Sequence, residues 1–107
     1  MEIPGKMKAI VLEQYNPNIV RALRSMKVGE VPTPAPPDDG VLVKVEASPV
    51  NPSDIAFMLG GYNIVKPLPA VPGFEGVGKI VATGKNIDPA FKGERVVFFT
   101  QDDHGGA

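Results

Sequence analysis

The chain has 107 residues, a net charge of -1, 43% hydrophobic and 21% charged residues, and no cysteine. Such a chain makes one domain, able to bury roughly two-thirds of its unfolded surface. It carries no basic stripe for nucleic acid and no apolar run long enough to span a bilayer. Without cysteine there are no disulfides, thiolate nucleophiles or thiolate metal sites. The single histidine, His104, lies in the polar tail Gln101–Gly106 and reads as solvated. Alone it cannot assemble the ligand set that zinc requires.

In chain order, residues 1–6 read as a flexible leader without the apolar core of a signal peptide. The expected location is therefore cytoplasmic. Met7–Leu12 is a short apolar run, the pattern of a buried strand. Tyr15-Asn16-Pro17-Asn18 is a turn cluster. Ala22–Val28 alternates imperfectly and is predicted as a strand. Val31–Pro37 holds four prolines, which fix extended geometry, so it is predicted as a connector ending at Asp38-Asp39-Gly40. In Val41–Ala47, Val41, Val43, Val45 and Ala47 fall on one face, and Leu42, Lys44 and Glu46 on the other. That is a half-buried strand.

One helix signal follows. Asn51 caps, Pro52 suits the first position, and Asp54 meets the positive end of the helix dipole. Ile55–Leu59 continue the helix and Gly60-Gly61 stop it. Gly76–Thr83 is predicted as a strand with Gly78, Ile80 and Ala82 on one face, its glycines permitting close backbone approach. Turns at Gly84-Lys85-Asn86 and Phe91–Glu94 precede an apolar strand, Arg95–Phe99. About five strands, one short helix and stiff connectors predict a mainly β fold, a small partly open barrel or sandwich.

The glycines at 73, 76 and 78 do not make a dinucleotide fingerprint, because their spacing is wrong and a strand follows them. Asp38-Asp39 and Asp102-Asp103 lie in polar turns. Glu75, between Phe74 and Gly76 in an apolar segment, is expected to be a buried carboxylate held by a hydrogen-bond network or a charge pair. On spacing alone, Asn51 is a cap and Tyr62 a half-buried loop residue. The alternative is that both face a cleft. There the amide would bind a carbonyl or carboxamide, and the phenol would donate to developing negative charge.

The opening strand, Val41–Val45, Val50-Asn51-Pro52-Ser53-Asp54, Pro72-Gly73-Phe74-Glu75-Gly76 and Gly93-Glu94-Arg95-Val96 occur in the order seen in one family. With them the chain resembles the N-terminal, GroES-like catalytic domain of medium-chain dehydrogenases/reductases over 7–107. The resemblance implies a partly open β-barrel, truncated at its C-terminus and followed in the family by a Rossmann domain absent from this chain. Zinc-dependent members carry cysteine at the place of Asn51 and histidine at that of Phe74, so the resemblance implies a branch without zinc. Zinc-free quinone oxidoreductases and 2-enoyl thioester reductases are similar through Asn51 and Tyr62. Ala56, often tyrosine in the quinone branch, leans toward the enoyl branch.

The implied activity is hydride transfer from NADPH to a carbon conjugated to a carbonyl. The implied catalytic residues are Tyr62 and Asn51. Asn51 also touches the cofactor, while Tyr62, Phe74 and Glu75 line the substrate pocket. NADPH would be bound mainly by the absent domain, so the 107-residue chain alone is expected to be inactive. The implied partner is a small-molecule substrate, with neither nucleic acid nor membrane. Phe98 and Phe99 on an exposed strand edge predict self-association as a dimer. The competing readings are a non-enzymatic GroES-like binding or assembly module and, third, a zinc-type alcohol dehydrogenase domain.

Overall fold

The computed structural model describes residues 3–61 and 66–100. Strand β1 (Lys6–Leu12) leads to helix α1 (Ile19–Ser25), β2 (Met26–Pro32), β3 (Val41–Ala47), helix α2 (Pro52–Leu59), β4 (Glu75–Thr83), a single 3-10 turn at Pro89–Phe91 and β5 (Arg95–Phe99). The fold is mainly β and its sheets do not close. β1 pairs antiparallel with β2, while β3, β4 and β5 form an antiparallel sheet in that order. No helix among the described residues is long and apolar enough to cross a membrane.

Among the described residues five strands occur as expected, but there are two helices, not one. The strand expected over Ala22–Val28 is instead the end of α1 followed by the start of β2. Asn18 decides this locally. Its side-chain oxygen accepts from the Val20 and Arg21 N–H groups, at 3.0 and 3.2 Å, and so occupies two donors that a helix start leaves open. Packing completes it, because Ala22 is fully buried in the core. The extended connector also starts later than expected, since Val31 and Pro32 still pair with Met7 and Lys6.

β3 departs from simple alternation. Register shifts between Leu42 and Val43 and between Val45 and Ala47 change the faces. Leu42, Val43 and Val45 lie opposite Ala82, Ile80 and Gly78, whereas Val41 and Ala47 lie opposite Thr83 and Val77. Two bulges therefore move Leu42 onto the inward face and Val41 and Ala47 off it. β4 keeps the predicted face: Gly76, Gly78 and Ile80 are buried. A Cβ at Gly78 would run into the Lys44 carbonyl, so glycine here permits the close strand approach.

The core joins Leu12 (β1), Ala22 (α1), Phe57 and Met58 (α2), Ala70 and Phe74. Leu12 and Ala70 form an isolated antiparallel bridge, with N–H···O distances of 2.7 and 2.9 Å, which ties the proline-rich loop to β1.

Candidate functional site

Helix α2 organises the site. Pro52 occupies the first helical position behind Asn51, and Gly60, at φ +81°, ends the helix in the left-handed region that glycine tolerates. The Asn51 N–H donates to Asp54 Oδ2 at 2.8 Å, and the Asn51 carbonyl accepts from Asp54 and Ile55. The backbone beneath the Asn51 side chain is thus fixed at three points. Asp54 is buried, and its Oδ1 has no hydrogen-bond partner among the described residues.

Phe57 sits on the buried face of α2, only 1% exposed. Its ring meets Tyr15 edge-on, with centroids 5.3 Å apart, and Phe74 at 5.5 Å and 83°. Such edge-to-face contacts place positive ring edges on negative ring faces. Lys66 completes the cluster. Its Nζ lies 5.6 Å from the Phe74 centroid and 5.8 Å from that of Phe57, and donates to the Val71 carbonyl at 3.4 Å. Lys66 is only 7% exposed, and the aromatic faces and the Val71 carbonyl offset part of the hydration its ammonium gives up.

The sequence-derived site residues are distributed as follows. Asn51 stands half-buried at the start of α2. Phe74 is brought against the same helix through Phe57, with its ring 2% exposed. Glu75 opens β4 opposite Phe99 and is half-buried, so the buried network expected of it is not demanded by its environment. Tyr62 lies outside the described residues, as does His104. Tyr15 and Lys66 were not legible as site neighbours. A tyrosine in a turn and a lysine before a proline carry no periodic signal of burial.

The donor set bears directly on a metal. Phe74 offers no lone pair, and the space around its ring is filled by Phe57 and an ammonium. Zinc does not fit such a set. Among the described residues, no three His, Cys, Asp or Glu side chains come together to hold an ion.

Residues 37–106 match the alcohol dehydrogenase GroES-like domain family. The mitochondrial enoyl-[acyl-carrier-protein] reductase of Arabidopsis thaliana is 40% identical over 91 residues, which is 84% of this chain and 23% of that enzyme. Alcohol dehydrogenase 1 of Caenorhabditis elegans is 36% identical over 87 residues, 81% of this chain and 23% of its own length. A crystal structure from Mesorhizobium loti, assigned as an NADPH:quinone reductase, superimposes with a TM-score of 0.83 at 36% identity, covering 99% of this chain and 33% of that one. The chain thus spans about a quarter of the length of the curated relatives it matches.

Proposed function

Because this chain belongs to the alcohol dehydrogenase GroES-like domain family, we propose that it is the substrate-side domain of a zinc-independent, NADP(H)-linked oxidoreductase that reduces quinones or α,β-unsaturated carbonyl and enoyl thioester substrates. Position 74 carries the reading. A phenylalanine sealed between Phe57 and Lys66 leaves no ligand for a metal there, while an amide stands at the start of α2. Relatives named as an enoyl reductase and a quinone reductase support the substrate class.

NADPH supplies a hydride when bound, and a Rossmann domain beyond this chain would hold most of it. An amide with its backbone pinned suits the neutral carboxamide of a nicotinamide, because it can both donate and accept. In this mechanism Asn51 orients that carboxamide or the substrate carbonyl. Tyr62 donates a hydrogen bond or a proton to the charge developing on the carbonyl system. Phe74 backs the pocket and helps keep it dry, and Glu75 borders it.

In the complete enzyme, Tyr62→Phe lowers kcat about a hundredfold or more, and a chelator leaves wild-type activity unchanged. Undiminished turnover in Tyr62→Phe, or activity lost to chelation and restored by zinc, refutes the reading. The isolated 107-residue chain shows no turnover and no micromolar NADPH affinity in calorimetric titration. Dimerisation and a cytoplasmic location belong to the same proposal. Light scattering that finds a monomer counts against the first. Mitochondrial import, as the name of the Arabidopsis relative implies for that enzyme, counts against the second.

A further inference from the structure

The outward face of the β3–β4–β5 sheet carries cations in a line. Lys44 on β3 lies opposite Lys79 on β4, and Lys79 lies opposite Arg95 on β5. All three are exposed. Neighbouring strands sit about 4.8 Å apart, so the row is roughly 10 Å long. Like charges directly opposite one another destabilise a sheet, and here two such pairs stand side by side. An open cleft of about 460 Å³ adjoins the row, lined in part by Lys44, Lys79 and Lys92, with Glu46 as its carboxylate. That carboxylate is already engaged by Arg95, at 2.9 and 3.2 Å. A chain of net charge -1 thus gathers four cations and one carboxylate on one patch. Two residues further along β4 and β5, about 7 Å away, the surface turns apolar. Ala47 lies opposite Val77, and Val77 opposite Val97, which is 82% exposed.

We propose that this face docks an acidic amphipathic helix of a partner protein. Carboxylates at i, i+3 and i+7 stay on one side of an α-helix and span about 10 Å of its axis. That is the length of the cation row, so the helix lies across the strands with its carboxylates over Lys44, Lys79 and Arg95. Lys92, beside the cleft, meets a further acidic side chain. A helix is about 10 Å in diameter, wide enough to cover the apolar row as well, where Val77 and Val97 take the adjoining apolar side chains. A compact anion such as pyrophosphate would satisfy the cations and leave Val97 in water. The apolar row is therefore what favours a helix. The arriving carboxylates also relieve the repulsion between Lys44 and Lys79 that the free sheet carries. The proposed chemistry uses none of these residues, so the surface stands or falls apart from it.

The test is titration of a fluorescent synthetic helix of about fifteen residues with the complete protein, followed by anisotropy. The probe carries Glu at i, i+3 and i+7 and Leu on the adjoining face. A scrambled peptide of the same composition is the control. The patterned helix binds and the scrambled one does not. Joint Lys44→Gln and Lys79→Gln substitution weakens binding about tenfold at low salt. Val97→Asn weakens it about tenfold as well, and does so at low and high salt alike, because apolar contact is not screened. The melting temperature of Lys79→Gln is no lower than that of the unaltered protein, since a like-charge pair has been removed. Equal binding of the scrambled peptide overturns the proposal, because charge alone would then attract. So does binding that survives the double substitution, or that ignores Val97→Asn. Displacement of the probe by pyrophosphate, or by vesicles rich in phosphatidylserine, assigns the patch to a small anion or a membrane surface instead. A Lys79→Gln protein that melts early makes the lysine row structural, and the proposal falls with it.

Discussion

Around helix α2, the large apolar side chains turn inward. Leu12, Phe57 and Phe74 are all but sealed from solvent, and Tyr15, Met26 and Leu59 pack around them. Across the β3–β4–β5 sheet, Ile80 is buried, but Val97 is 82% exposed and Val45 and Phe99 are also open. The inward face of β4 is otherwise built from small residues, Gly76, Gly78 and Ala82. One region is held by side-chain packing, the other by backbone approach and ladder hydrogen bonds. The difference bears on the role proposed for Asn51 at the start of α2. The helix is fixed by neighbours on several elements, and an amide in the proposed orienting role needs that rigidity more than it needs a wide sheet.

The largest expected effects test this contrast directly. Phe57→Ala empties the centre of the aromatic cluster and costs about 3–5 kcal/mol, read as a fall in the denaturation midpoint. Val97→Thr on the exposed sheet face changes stability by less than about 0.5 kcal/mol. Equal losses at the two positions would erase the distinction between the regions. Next comes the sheet's own requirement. Gly78→Ala drives a methyl group into the Lys44 carbonyl, and costs about 1–3 kcal/mol through forced strand separation. Gly61→Ala, where no atom of the described residues lies within 4 Å of the added carbon, serves as the silent control. A tolerated Gly78→Ala would mean that the sheet is not held by backbone approach.

Asp54 gives a smaller effect with two opposing parts. Its Oδ2 accepts the Asn51 N–H, while its Oδ1 is buried without a hydrogen-bond partner among the described residues. Removing the carboxylate loses a charge-assisted cap but also relieves an unsatisfied oxygen. Asp54→Ala therefore costs about 0.5 kcal/mol, less than the roughly 1 kcal/mol of a well-satisfied cap. A loss as large as that of Phe57→Ala would show that the second oxygen is bound after all.

Much of this was legible in the sequence because the relevant signals are local. Asn51-Pro52 and Gly60 mark the ends of α2 by backbone chemistry alone, and β4 keeps its period of two. α1 was missed because it runs into β2 without a break, so that Ala22, Met26 and Val28 read together as one loose strand pattern. The capping role of Asn18 was hidden inside what reads as a turn. The faces of β3 were lost to bulges, which insert residues without changing composition. The Tyr15 hydroxyl donates to the Lys66 carbonyl and accepts from the Lys66 N–H across 51 residues, and no local pattern reports a contact of that separation. Asn51 and Phe74 came from the family motif, not from physical pattern, and the structure adds the packing that joins Phe74 to α2.

The smallest expected effect lies at the charged end of the sheet and is read through pH. Arg95 Nε and Nη2 donate to the two carboxylate oxygens of Glu46 at 2.9 and 3.2 Å, across the β3–β4–β5 sheet. This hydrogen bond to Arg95 holds the Glu46 carboxyl below its usual 4.5, with the charges of Arg95, Lys79 and Lys44 acting in the same direction. A carboxylate whose folded-state pKa is depressed contributes stability above its unfolded value, and that contribution fades as pH falls through the folded value. The difference in melting temperature between the unaltered chain and Glu46→Gln is therefore present at pH 7. It shrinks below about pH 4.5 and vanishes once Glu46 is protonated in both states. Because both side chains are largely exposed, raising the salt concentration at pH 7 shrinks it too. Phe57→Ala should be indifferent to both variables. A Glu46→Gln effect that persists unchanged at pH 3 would place this ion pair among the packed contacts of the α2 region, and the two halves of the molecule would no longer be held by different forces.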